Sequence, residues 1–309
     1  PNEYDQSHDA HWPATLTSFL SQLNRVVKAD ARTSRFPVIG PSLTRADSVL
    51  KLRGLCAFDY ANLHNYFGGH NPGTPGWGSN GYGSIRWNLA TVNTVCPGKP
   101  VVTTETGYQT GAALPPGLPE EVEGKYVPRL FLEQWLRGIR RTYLYELIDL
   151  PPRRSAGDSS FGLLRSDFSP KPAYSALVNL LHLLADPGPS FAGEELDFKL
   201  SGELSNVHHL LLEKRNGVFY LALWVEEPGY DGASKKATPV ATHAVVIQTD
   251  RAMGMIRHWF DFSGTMHAGA LEAGTTHNID VSDSVTLLEM DSRPEAPLLY
   301  PPVVSHNLR

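Results

Sequence analysis

The feature that most constrains this chain is a change of pattern near residue 186. Before it, strand-like and helix-like runs alternate; after it, short strand-like runs follow one another with almost no helix between them. Alternation implies parallel strands joined by helical crossovers, because a parallel pair needs a long connection. From Trp12 to Ala31, Leu16, Phe19, Leu20, Leu23, Val26 and Val27 recur at spacings of three and four, which predicts a helix with one apolar face. Phe36 to Gly40 reads as a buried strand, Ser48 to Leu55 as a short helix, and Phe58 to Phe67 as a strand with its exit loop. A helix over 85–95, a strand from Lys99 to Glu105, a helix from Pro119 to Arg140, a strand from Arg141 to Leu150 and an apolar helix from Pro172 to Leu184 complete the series. Pro1 to Asp5 reads as the end of a further strand and its loop.

The cluster Asp186-Pro187-Gly188-Pro189 closes that pattern. Beyond it, Asn206–Leu212, Val218–Glu226, Thr242–Thr249, Ile256–Phe262 and Val285–Met290 are strand candidates, separated by turn signals such as Asn216-Gly217 and Ser263-Gly264. Short strands at this spacing predict an antiparallel β-sandwich. The expected division is therefore an α/β segment over 1–186 and a sandwich over 187–309.

Two architectures fit the first segment: an open doubly wound sheet or a (β/α)8 barrel. The first should carry a glycine-rich phosphate turn between a strand and a helix. The run Gly76-Trp77-Gly78-Ser79-Asn80-Gly81 has the glycine spacing but lies in a long proline-containing loop, so it carries little weight. There is no Gly-x-Ser-x-Gly elbow, which removes the α/β-hydrolase reading. A net charge of -5, with both signs mixed along the chain, argues against nucleic acid as a partner. No apolar run reaches the roughly 18 residues of a membrane span.

Two glutamates end strand-like runs: Glu3 after Asn2, and Glu105 after Val101-Val-Thr-Thr104. Two further strands lie between them, so they sit three strand-helix units apart at about 34 residues per unit, close to the roughly 31 of an eight-unit barrel. Carboxylates at the C-terminal ends of barrel strands point into the face where such barrels do chemistry. Asn2-Glu3, followed three strands later by Thr104-Glu105, resembles the paired signatures of clan-A retaining glycoside hydrolases. His64-Asn65-Tyr66 is similar to the strand-six segment of that clan. The resemblance covers roughly residues 1–185, and a C-terminal β-sandwich also occurs in clan-A families of the β-xylosidase and α-L-iduronidase type.

The resemblance implies a TIM-barrel fold and cleavage of O-glycosidic bonds in a β-linked glycan or glycoside. It makes Glu3 the acid/base, Glu105 the nucleophile, Asn2 a contact of the sugar 2-hydroxyl and Tyr66 a hydrogen-bond donor to the nucleophile. His64, Asn65, Trp77, Tyr108 and Tyr145 are the further candidates for substrate binding, with Tyr82 as an additional ring on the glycine-rich loop. Retaining hydrolysis needs carboxyls about 5–5.5 Å apart, one protonated and one ionised. His8 and His11 lack a third ligand at fixed spacing, and His208-His209 point to opposite faces of a strand, so no metal is expected. No cofactor is expected either, and the partner is a carbohydrate substrate.

Cys56 and Cys96 precede neighbouring strands, which would bring them close together at the base of the barrel. The sequence leaves a disulfide and two free thiols open; a disulfide, like a polysaccharide substrate, would favour a secreted or extracellular protein. Counting Glu3 as the end of strand four leaves only strands four to eight in this chain, an expected N-terminal truncation. The alternative function is a non-catalytic carbohydrate-binding or structural protein derived from such a barrel.

Overall fold

The computed structural model describes residues 2–111, 117–150, 160–264 and 266–293. Two compact units emerge. One gathers Pro1–Gly68, Gly73–Gly107 and Glu133–Tyr145; the other gathers Gly69–Pro72, Tyr108–Leu132 and Glu146–Arg309.

In the first unit, β1 (Ala61–His64), β2 (Val101–Thr106) and β3 (Thr142–Leu144) form a parallel sheet in that order. Helices α1 (Trp12–Ala29), α2 (Ala46–Val49) and α3 (Ile85–Asn93) belong to the same unit. On α1, Trp12, Leu16 and Leu20 are buried while Phe19 and Val26 are exposed, so the packed stripe is narrower than the apolar pattern. Ser84 caps α3 by accepting from the Trp87 amide at 3.1 Å, a contact of the kind that satisfies one otherwise unpaired donor.

Three strand expectations are corrected here. Phe36–Gly40 makes only an isolated parallel bridge, Ile39 to Tyr60, because Pro37 has no amide hydrogen to donate and Pro41 ends the run. The run from Arg141 to Leu150 divides: Tyr145 N still donates to Thr106 O, but Glu146 and Leu147 instead exchange hydrogen bonds with 161–164. Asn2 and Glu3 lie in no strand, and Pro1 lies outside the described residues. Glu3 has left-handed backbone, φ 43° and ψ 47°, and leads into a 3-10 turn at Tyr4–Gln6. Both residues meet Ser42 rather than a strand ladder.

Cys56 and Cys96 are bonded, with sulfurs 2.00 Å apart. The bond closes a loop whose ends are 40 residues apart in sequence. Loop-closure entropy for that length gives a stabilisation of about 4 kcal/mol. Thermal unfolding with and without a thiol reductant is therefore expected to show a clear drop in Tm, matched by Cys96→Ser; an unchanged Tm contradicts it.

In the second unit, α4 (Glu120–Leu136) contributes its residues to Leu132, and α5 (Pro172–Leu184) lies wholly within it. The strands are β4 (Phe198–Gly202), β5 (Val207–Glu213), β6 (Phe219–Val225), β7 (Tyr230–Asp231), β8 (Lys236–Ala237), β9 (His243–Met253), β10 (Met255–Phe260), β11 (His267–Leu271), β12 (Gly274–Val281) and β13 (Thr286–Asp291). They pair antiparallel in sheets of order β11-β10-β13-β6-β5 and β12-β9-β4, with β7-β8 as a separate ribbon. All seven residues of β6 are buried, which explains its unbroken apolar sequence. Phe219, Leu221, Leu223 and Val225 pack with Val245, Ile247, Ile279 and Val281 of the three-stranded sheet. Tyr220, Ala222 and Trp224 pack on the opposite face with Ala176, Leu180 and Leu183 of α5. His208 and His209 separate as expected, one ring against Trp224 and the other against Phe198. No helix among the described residues is long and apolar enough to cross a membrane.

Candidate active site

The ends of β1 and β2 bring together residues from three stretches of chain. The register runs Ala61–Val101, Asn62–Val102 and Leu63–Thr103, then slips so that His64 stands opposite Glu105. Neighbours on a regular strand face opposite sides. At this irregularity both Thr104 and Glu105 reach the His64 ring. Nδ1 of His64 lies 3.0 Å from Glu3 Oε1 and 3.3 Å from Glu105 Oε2. Its Nε2 lies 2.9 Å from Thr104 Oγ1. One ligand atom from each of Glu3, His64 and Glu105 lies within 4.8 Å of the others.

Hydrogen-bond directions can be assigned along this chain. Thr104 Oγ1 donates to Asn62 Oδ1 at 2.8 Å, so it receives the Nε2 proton of His64. The tautomer so assigned leaves Nδ1 facing both carboxyls. A neutral ring then accepts a proton from a carboxyl, whereas a charged ring donates one. The His64 side chain is 2% exposed, and the Glu3 and Glu105 side chains are 23% and 24% exposed, so the carboxyls keep an outlet that the ring lacks.

Each carboxylate has a second partner. Tyr66 Oη donates to Glu105 Oε2 at 3.0 Å. Burial first, and then the charge of Glu105, push the Tyr66 phenol far above its ordinary value, so it remains a donor. Gln6 Nε2 donates to Glu3 Oε2 at 3.3 Å and also to Thr44 Oγ1. Tyr145 acts electrostatically on Tyr66. Asn62 and Gln6 had no motif to announce them, and Thr104 stood only as the neighbour of Glu105 in its motif; the available signal for Asn62 was its place two residues before His64, on the same face of β1.

The remaining sequence candidates have diverse surroundings. Asn2 is exposed and accepts from Ser42 at 3.4 Å. Asn65 is buried; its side-chain oxygen accepts from Gln134 and its carbonyl from Thr106 Oγ1, while its side-chain nitrogen has no partner among the described residues. Tyr108 is likewise buried at 2% exposure, packed on Tyr126 with its hydroxyl on the His70 carbonyl, so it offers no open ring face. Trp77 is half-buried, edge-on to Tyr82, which in turn packs against Trp87. Gly83 is required under Trp77: its φ is +84°, and a Cβ would stand 2.4 Å from the indole.

A cavity of about 260 Å³ has His64, Asn65 and Tyr66 among its walls, and so reaches the residues that contact the two carboxyls. The donor set of Glu3, His64 and Glu105 is also one that could hold a divalent cation.

No protein-family model matches the chain, and no curated protein matches it in sequence. Solved structures do match. A family 39 glycoside hydrolase from the gut symbiont Bacteroides cellulosilyticus WH2 superposes with a TM-score of 0.61 at 16% identity, over 94% of this chain and 57% of that one. A glucosidase from Croceicoccus marinus superposes with a TM-score of 0.59 at 11% identity, over 94% of this chain and 67% of that one. The chain thus spans somewhat more than half the length of the first of these. What these likenesses show is the fold: a mixed helix-and-sheet architecture shared with glycoside hydrolases.

Proposed function

We propose that this protein is a retaining glycoside hydrolase of the clan-A, (β/α)8-barrel type, with its barrel segment over 1–186 and a β-sandwich over 187–309. Glu105 is the nucleophile and Glu3 the acid/base, and the substrate is a β-linked glycan or glycoside. The observation that carries this reading is the approach of the two carboxyls, within 4.8 Å between ligand atoms, across one buried imidazole. Retaining enzymes place their carboxyls about 5–5.5 Å apart, whereas inverting ones leave 6.5–9.5 Å for a water.

The chemistry follows from the contacts. Tyr66 holds Oε2 of Glu105 and leaves Oε1 to attack the anomeric carbon. Glu3 gives its proton to the leaving oxygen. Formation of the glycosyl ester removes the charge of Glu105, and Glu3 then takes a proton from the water that hydrolyses the ester. His64, with Nε2–H committed to Thr104, presents Nδ1 to Glu3 Oε1 and shares that proton between turnovers. The Cys56–Cys96 bond supports a secreted or extracellular site of action.

The test is the stereochemistry of the first product. Proton NMR of a β-glycoside digest is expected to show the β-anomer before mutarotation, with the rate unchanged by EDTA. An initial α-anomer removes the double-displacement assignment. Loss of activity in EDTA, restored by a divalent cation, favours a metal held by Glu3, His64 and Glu105 instead.

A further inference from the structure

The cavity beside the carboxyl pair has the wrong lining for a sugar. Its rings are Trp77, Tyr82 and Trp87, and Leu52 and Val92 contribute further apolar wall. Several polar side chains in its wall are already engaged, and Asn65 Nδ2 is the buried polar atom there that has no partner among the described residues. Asn62 Oδ1 accepts from Thr104, Asn88 Nδ2 donates to the Ser84 carbonyl at 2.9 Å, and Thr91 Oγ1 donates to the Trp87 carbonyl at 2.8 Å. A sugar unit placed here would bury several hydroxyls without partners, and each such group carries a desolvation cost. A flat apolar group meets no such penalty and gains edge-to-face contacts with the existing rings.

Size and position agree with this. An apolar cavity of about 150 Å³ already accepts benzene; this one, at about 260 Å³, has room for a ring bearing a substituent or for two fused rings. Its wall includes Thr44, which accepts from Gln6, the same side chain that donates to Glu3. One hydrogen-bonded side chain, Gln6, thus links the cavity wall to Glu3, the residue that protonates the leaving group in the proposed mechanism.

We propose that the leaving group of the substrate is a flat apolar aglycone, an aryl or arylmethyl alcohol of one or two rings, seated in the cavity lined by Trp77, Tyr82 and Trp87. It departs as the free alcohol, carrying the proton of Glu3 on the oxygen released from the anomeric carbon. This assignment rests on the glycosidase reading for its meaning, but the cavity can be tested without turnover.

The probe is 2-naphthalenemethanol, titrated into the full chain by calorimetry. Saturable binding is expected, about tenfold weaker in Trp87→Ala and abolished in Thr91→Phe, which fills the space from α3. Circular dichroism checks that both variants are folded. No saturable binding, or binding indifferent to both changes, overturns the proposal. In kinetics, a benzyl glycoside is compared with a disaccharide of the same glycone, because benzyl alcohol is no better a leaving group than a sugar hydroxyl. A higher kcat/KM for the benzyl glycoside, with Trp87→Ala raising its KM, upholds the assignment; equal kcat/KM values overturn it. Because binding is read separately from catalysis, failure of the cavity and failure of the carboxyl pair are distinguishable.

Discussion

Glu105→Ala is expected to lower glycoside turnover by about 10⁴-fold, a loss of roughly 5.5 kcal/mol in transition-state stabilisation. In the proposed mechanism the substitution removes the atom that forms the ester, so no rearrangement of neighbours can replace it. Azide is small enough to enter the space left behind, and should restore turnover of an activated β-glycoside with an α-glycosyl azide as product. Glu3→Ala should behave differently: a substrate with a good leaving group needs no proton, so its first step survives, and azide should give the β-linked product. This contrast separates the two roles, because both carboxyls touch the same His64 nitrogen and a mere loss of activity would not tell them apart. Identical behaviour of the two variants toward azide would contradict the assignment.

Arg129→Ala is expected to cost about 3–5 kcal/mol of folding stability, read as a lower urea midpoint. Arg129 and Glu226 are among the least accessible charged side chains of the second unit, at 0% and 1% exposure, and pair at 2.8 Å. Glu226 also accepts from Trp224 Nε1 at 2.8 Å and from Asn71 Nδ2 at 2.7 Å, while Arg129 donates to the carbonyls of Asp283 and Glu227. Removing the guanidinium takes the paired charge from a buried carboxylate whose remaining partners include the neutral donors Trp224 and Asn71. The double change Arg129→Met with Glu226→Leu should cost much less, because the desolvation penalty of both charges disappears together. If the single and double variants lose equal stability, the penalty is one of packing and the charge argument fails.

Much of the architecture was legible along the chain. Helices α1, α3, α4 and α5 follow runs with apolar spacings of three and four, and such runs report their own structure locally. Strand β6 was legible because both its faces are buried, which leaves no polar interruption. Strand β12 was not, because only His277, Ile279 and Val281 are buried and its other residues are polar or small. Strand β3 was overestimated, because the change of partner after Tyr145 has no mark in composition. Glu3, His64, Tyr66 and Glu105 could be named from their motifs. The role of Asn62 and Thr104 in orienting the His64 ring could not, since neither residue type is distinctive on a strand. Tyr108 reads as an exposed ring from its place after Glu105 but is buried, because a loop position does not reveal which side of it is filled.

The sequence by itself determined much of the order of helices and strands and singled out Glu3 and Glu105 as candidate carboxyls. The tertiary structure decided that one imidazole nitrogen would touch both carboxyls, and that Cys56 would meet Cys96. The reason is register. Local periodicity depends on neighbours within a turn or two, whereas the meeting of residues 40 or more positions apart depends on how two strands align, and a single-residue slip between β1 and β2 sets His64 against Glu105.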